Sequence, residues 1–109
     1  MNLIEKKCTP CEGGVPKLSS SEAGRYLGKV SGWELNHDLT AIFKNLRLEN
    51  FVAAVDLIQK IALVAEGEGH HPDLHLTGYR NLQIEISTHA IGGLTENDFI
   101  LAAKIDRIK

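Results

Sequence analysis

Apolar positions in this chain recur at two different periods, and the period switches several times between the first residue and the last. From about Ser20 to Lys29, Ala23, Tyr26, Leu27 and Val30 form a helical stripe. Ser19-Ser20-Ser21-Glu22 before it has the form of a capping box, in which a serine hydroxyl takes an orphan amide and Glu22 reaches back. Gly32 stops this helix, and Trp33 to Asp38 begins a strand. From Ala41 to Glu49 the period is two: Ile42, Leu46 and Leu48 alternate with Phe43, Asn45, Arg47 and Glu49, so one face is buried and one is wet. Asn50 is a good N-cap for a second helix from Phe51 to about Ala65, where Phe51, Ala54, Val55, Ile58, Ala62 and Ala65 return at helical spacing until Gly67 and Gly69 end it. Leu74 to Tyr79 suits a short third strand, with Gly78 as a bulge or bend. The clearest strand is Asn81 to His89, with Leu82, Ile84, Ile86 and Thr88 facing one way and Gln83, Glu85, Ser87 and His89 the other. Gly92-Gly93 breaks it, and Thr95-Glu96-Asn97-Asp98 caps a last helix that runs to the C-terminus.

The resulting order is α-β-β-α-β-β-α. Two hairpin-like strand pairs predict the α+β class, a four-stranded antiparallel sheet with three helices on one face. The last helix is apolar around most of its girth, at Phe99, Ile100, Leu101, Ala102, Ala103, Ile105 and Ile108. That surplus over one core-facing stripe predicts a subunit contact, in a homodimer or homotetramer.

A length of 109 residues suits one domain, read as residues 19–109 behind a Cys/Pro/Gly-rich arm of residues 1–18. The formal charge of −2 argues against direct nucleic-acid binding, which needs a basic surface. No apolar run approaches the length of a membrane span, and Met1 to Lys7 lacks the apolar core of a signal peptide, so a cytoplasmic location is expected. Cys8 and Cys11 have the spacing of two zinc ligands, but no second cysteine pair completes a set of four, which predicts reduced thiols in an ordered arm.

Three of the five histidines fall in the passage Glu66 to His75, between a helix and a strand, and His89 closes the next strand. Histidine titrates near neutral pH and can take and return protons, so the cluster His70, His71 and His89 is a natural acid/base site. Pro72 biases His71 toward extended backbone, which points the two adjacent rings apart unless a turn reorients one. Parity puts His89 on the face away from the apolar strand positions, open to a ligand. Glu66 stands in the last turn of its helix, where the macrodipole disfavours a carboxylate, while capping alone accounts for Asp98. The His-x-x-x-His spacing of zinc hydrolases is absent, so a catalytic metal is not expected, and a phosphate loop and a dinucleotide fingerprint are missing too.

Taken in order, Glu66, His70-His71-Pro72, Tyr79, Thr88-His89, Gly92-Gly93-Leu94-Thr95 and Asp98, together with Trp33 and the run Ile42 to Phe51, resemble the pterin-4a-carbinolamine dehydratases. Mammalian members of that family double as dimerisation cofactors of a homeodomain transcription factor. The likeness covers roughly residues 19 to 109. Ala90 departs from it, standing where many members have Asp. The resemblance implies dehydration of a 4a-hydroxytetrahydropterin to the quinonoid dihydropterin, in tetrahydropterin recycling, without metal or organic cofactor. It further implies that His70, His71 and His89 supply acid and base, that Glu66 and Asp98 orient the rings, and that Pro72 and Thr88 help line the pterin site. A pterin-binding module linked to molybdopterin metabolism, or a protein-interaction coactivator, are the alternatives.

Overall fold

The computed structural model describes residues 3–8 and 16–108. A short 3₁₀ turn, Leu3–Glu5, is followed by α1 (Ser20–Leu27), β1 (Glu34–Leu35), β2 (Ile42–Arg47), α2 (Phe51–Glu68), β3 (Asp73–Thr77), β4 (Asn81–Ile86) and α3 (Glu96–Asp106). All strand pairings are antiparallel, in the order β1-β2-β4-β3. Ile42, Leu82, Ile84 and Ile86 turn one face of this sheet into a core shared with Ile61 and Ala65 of α2 and Phe99 to Ala103 of α3. The α+β arrangement with the helices on one face is therefore the observed one.

Several element ends differ from expectation, each for a local reason. The α1 capping box forms as read, Ser19 Oγ accepting from the Glu22 amide and Glu22 Oε1 from the Ser19 amide. β1 is only two residues long because the chain turns back at Asn36: its amide still donates to Ala41 O at 3.0 Å, while its side-chain oxygen accepts from the amides of Thr40 at 2.8 Å and Ala41 at 3.1 Å, closing a tight turn into β2. Trp33 precedes the strand and is anchored by its Nε1 donating to Asp106 Oδ1. Gly67 does not end α2. A glycine in that exposed turn costs only propensity, and the helix continues to Glu68 before Gly69, at φ 66°, closes it in the left-handed region.

The expectation that fails is the free apolar surface of α3. Residues Asn97 to Ala103 and Ile105 are all buried within the single chain. The Leu3–Glu5 turn, α1 and α2 each pack against α3, and Tyr26 of α1 stacks on Phe99 with ring centroids 5.3 Å apart. The girth that reads as surplus is needed because the helix is surrounded on nearly all sides. A subunit contact through α3 finds no free apolar face among the described residues; the exposed large apolar side chains are Phe51, Val52 and Leu63 on α2, with Leu39 and Tyr79 in turns. Among the described residues no helix is long and apolar enough to cross a membrane.

Two carboxylates tie the elements together. Glu96 accepts from Lys6 Nζ at 2.6 Å and Tyr26 Oη at 2.8 Å, and Glu68 from Lys104 Nζ at 2.5 Å and the Cys8 amide at 2.9 Å. The Lys6 bond holds the Glu96 carboxyl below its ordinary value of 4.5. For Glu68, burial opposes the charge, but the bonds from Lys104 and the Cys8 amide outweigh it and the value again falls below 4.5.

Replacing Gly69 with Ala forces a side chain into the left-handed region and is expected to lower stability by about 1–2 kcal/mol in urea unfolding; an unchanged midpoint would contradict this closure of α2. Because the folded values of Glu68 and Glu96 lie below the unfolded ones, their stabilisation is complete above the ordinary 4.5 and is lost as pH falls through the lower folded values. Urea midpoints should therefore decline on acidification below that range, whereas a midpoint that rises there would show that these pairs do not stabilise the fold.

Candidate active site

The end of α2 and the ends of β3 and β4 meet at one end of the sheet. Asp73 pairs with Glu85 and Leu74 with Ile84. Continuing that register outward sets His71 opposite Ser87 and His70 opposite Thr88. Side chains on the Leu74–Ile84 parity enter the core, and those on the Asp73–Glu85 parity face the open side of the sheet. His70 thus turns inward and His71 outward, the divergence that an extended His-His-Pro segment implies.

His70 Nε2 lies 2.6 Å from Asp98 Oδ1, with the two side chains 8% and 0% exposed. The other oxygen, Asp98 Oδ2, accepts from the Thr95 amide at 2.8 Å and from Thr88 Oγ1 at 2.9 Å. Thr95 Oγ1 is 3.0 Å from Thr88 Oγ1 and, since the Thr88 proton is committed to Asp98, it is the donor there. An ionised carboxylate only accepts, so the proton on His70 is on Nε2. Asp98 caps α3 and holds His70 at once, so the cap that the sequence shows is only part of its role.

His71 Nε2 bonds Glu66 Oε2 on the surface, both side chains being mostly exposed. Glu66 reaches His71 because α2 runs past it to Gly69, whose left-handed turn brings the chain back. His89 is the most open of the three, 80% exposed, with its Nε2 4.0 Å from Asp73 Oδ2. Each of these imidazoles therefore has a carboxylate of its own. Parity puts Asp73 on the open face with His89, but register sets it opposite Glu85, and it is the turn after β4 that brings His89 to it.

An open cleft of about 260 Å³ lies at this end of the sheet, lined by Asp73, Ser87, Thr88, His89, Gly92 and Gly93, with the Asn36–Ala41 turn as its far wall. Thr88 joins it to the interior, since its hydroxyl is bonded to Asp98. The return from Thr88 is fixed by the Thr88 amide donating to Gly93 O at 2.9 Å and the Gly92 amide to Thr88 O at 3.0 Å. His70, His71 and Pro72 are not part of the cleft wall. A hollow of about 420 Å³ farther along the open face, around Asn45, Arg47, His75 and Gln83, is larger but has no carboxylate in its wall. Among the described residues no three His, Cys, Asp or Glu side chains gather as a metal site. Cys8 is a free thiol, pushed up to about 12 by burial and by the neighbouring Glu68 carboxylate, and Cys11 lies outside the described residues.

Comparison with known proteins gives a consistent result. The family model described as pterin 4 alpha carbinolamine dehydratase matches residues 16–108. Pterin-4-alpha-carbinolamine dehydratase 2, mitochondrial, of Arabidopsis thaliana is 48% identical over 111 residues, which take in 99% of this chain and 59% of that protein. A putative pterin-4-alpha-carbinolamine dehydratase of Methylococcus capsulatus is 45% identical, with 98% of this chain and 93% of that protein covered. A crystal structure of a transcriptional coactivator/pterin dehydratase from Brucella melitensis superposes with a TM-score of 0.78 at 28% identity, covering 84% of this chain and 96% of that one. The chain thus spans little more than half of the plant relative but nearly all of the bacterial ones, and it belongs to the pterin-4a-carbinolamine dehydratase family.

Proposed function

We propose that this chain dehydrates a 4a-hydroxytetrahydropterin to the quinonoid dihydropterin in tetrahydropterin recycling, with His70, His71 and His89 as the acid/base set. The observation that carries this reading is the matching of each imidazole with a carboxylate around one end of the sheet, Asp98 with His70, Glu66 with His71 and Asp73 with His89. In the reaction a proton is delivered to the C4a hydroxyl, which leaves as water, while N5 gives up its proton and its electron pair forms the C4a–N5 double bond. One group must begin protonated and another neutral, and two imidazoles in different surroundings meet that need. Each carboxylate fixes the direction in which its ring points.

Exposure divides the labour. His71 and His89 reach solvent and can exchange protons with a bound ring, with Thr88 and His89 at the cleft wall. His70 is anchored on Asp98, fixes the His70-Pro72 segment beside the cleft, and can reach the ring only where that segment opens. The cleft is close to the lower end of the roughly 300–1,000 Å³ typical of small-molecule sites, a size suited to a flat bicyclic heterocycle.

In a dehydration assay on the purified protein, His71→Ala and His89→Ala are each expected to lower kcat by about 10²–10⁴-fold. Turnover unchanged in all three single His→Ala variants would defeat the proposal. Asp98→Asn should change the tautomer of His70: with its oxygen kept on the Thr95 amide, the new amide donates to Nε2 and moves the ring proton to Nδ1. Nitrogen-15 shifts of the imidazole report this directly, and an unaltered Nε2–H tautomer would show that Asp98 does not set the ring's proton.

A further inference from the structure

The segment Leu3–Cys8 precedes the family match, yet it is built into the core. Leu3 is buried, and its 3₁₀ turn lies on α3. Lys6 and Cys8 then reach to either side. Lys6 Nζ bonds Glu96 in the first turn of α3, two residues before Asp98. The Cys8 amide bonds Glu68 Oε1 in the last turn of α2, two residues before His70, and the Cys8 thiol donates to the main-chain oxygen of Asn97, the residue next to Asp98. Lys104 Nζ completes the set on Glu68 Oε2.

We infer that Leu3–Cys8 is a latch which clamps the end of α2 to the start of α3 and so positions the His70–Asp98 pair, with Glu68 as the positioning residue through which it acts. Glu68 occupies the negative end of the α2 macrodipole and is largely buried, its side chain 9% exposed. A carboxylate there is unfavourable by itself, and it is held because both oxygens have donors from outside α2, one from the arm and one from α3. The amide of Cys8, rather than its sulfur chemistry, supplies the arm's bond. A thiol pushed up to about 12 by burial is protonated at neutral pH and is a poor nucleophile. The first cysteine of the Cys-x-x-Cys pair is accordingly a small side chain packed against the Asn97 carbonyl.

The consequence for catalysis rests on the dehydratase reading, but the latch does not, and the two can be tested apart. In the full chain, the exchange rate of the His70 Nε2 proton with water, followed by NMR, reads the closure of the His70–Asp98 pair. Cys8→Pro removes the amide donor and Cys8→Ala keeps it; Glu68→Gln removes the charge, and Lys104→Arg keeps the cation on it. Exchange should accelerate about tenfold in Cys8→Pro and in Glu68→Gln, and stay at the wild-type rate in Cys8→Ala and Lys104→Arg. The amide of Ile84, in the sheet and remote from the latch, should keep its protection in every variant. Should Cys8→Pro unfold, Glu68→Gln carries the test. An unchanged His70 rate in Glu68→Gln, equal effects of Cys8→Pro and Cys8→Ala, or acceleration matched at Ile84 would each overturn the latch. Where dehydration is measured, kcat should fall in the same two variants as the exchange rises. A wild-type chain without turnover would remove the dehydratase reading and leave the exchange result standing on its own.

Discussion

The buried carboxylate of Asp98 is the interaction on which the rest of this end of the molecule depends. A charge with no exposure is tolerable only when its hydrogen-bonding capacity is met, and here the donors come from three separate places: the His70 ring beyond α2, the Thr88 hydroxyl beyond β4 and the Thr95 amide at the start of α3. Satisfying one side chain thereby fixes the relative position of three chain segments. The turn from Thr88 to Gly93, which shapes the cleft, and the His70-His71-Pro72 segment beside it are held by the same group.

Magnitudes separate this pair from the other two. Taking one donor away from a buried carboxylate costs about 1.5–3 kcal/mol, whereas exposed pairs such as His71–Glu66 and His89–Asp73 are worth about 0–1 kcal/mol. His70 is consequently a fixed part of the frame. His71 and His89 are oriented only weakly by their carboxylates and stay open to solvent.

Much of this is legible in the sequence, and the parts that are not have identifiable causes. Alternation from Leu82 to Thr88 gives the faces of β4, and Pro72 gives the divergence of His70 and His71. The Ser19–Glu22 capping box forms where the residues say it should. What pattern cannot supply is what a residue meets at long range. Asp98 reads as a cap because its partner His70 lies 28 positions away, and α3 reads as having spare apolar surface because the Leu3–Glu5 turn that covers it is some ninety residues distant. Glu68 carries the same signal as Glu66, a carboxylate at the wrong end of a helix dipole, but its compensation by Lys104 and the Cys8 amide is visible only in three dimensions. Asp73 is hidden in the same way, since register sets it opposite Glu85 and the turn after β4 that brings His89 back to it is visible only in three dimensions.

The most direct measurement is a crystal structure of the chain with a bound dihydropterin. The heterocycle is expected in the cleft at the end of the sheet, against Thr88, His89 and Gly93, with the His71 ring turned onto it and His70 still bonded to Asp98. A ligand seated on the far stretch of the open face by Arg47 and His75, or bound without contact to either exposed imidazole, would contradict it.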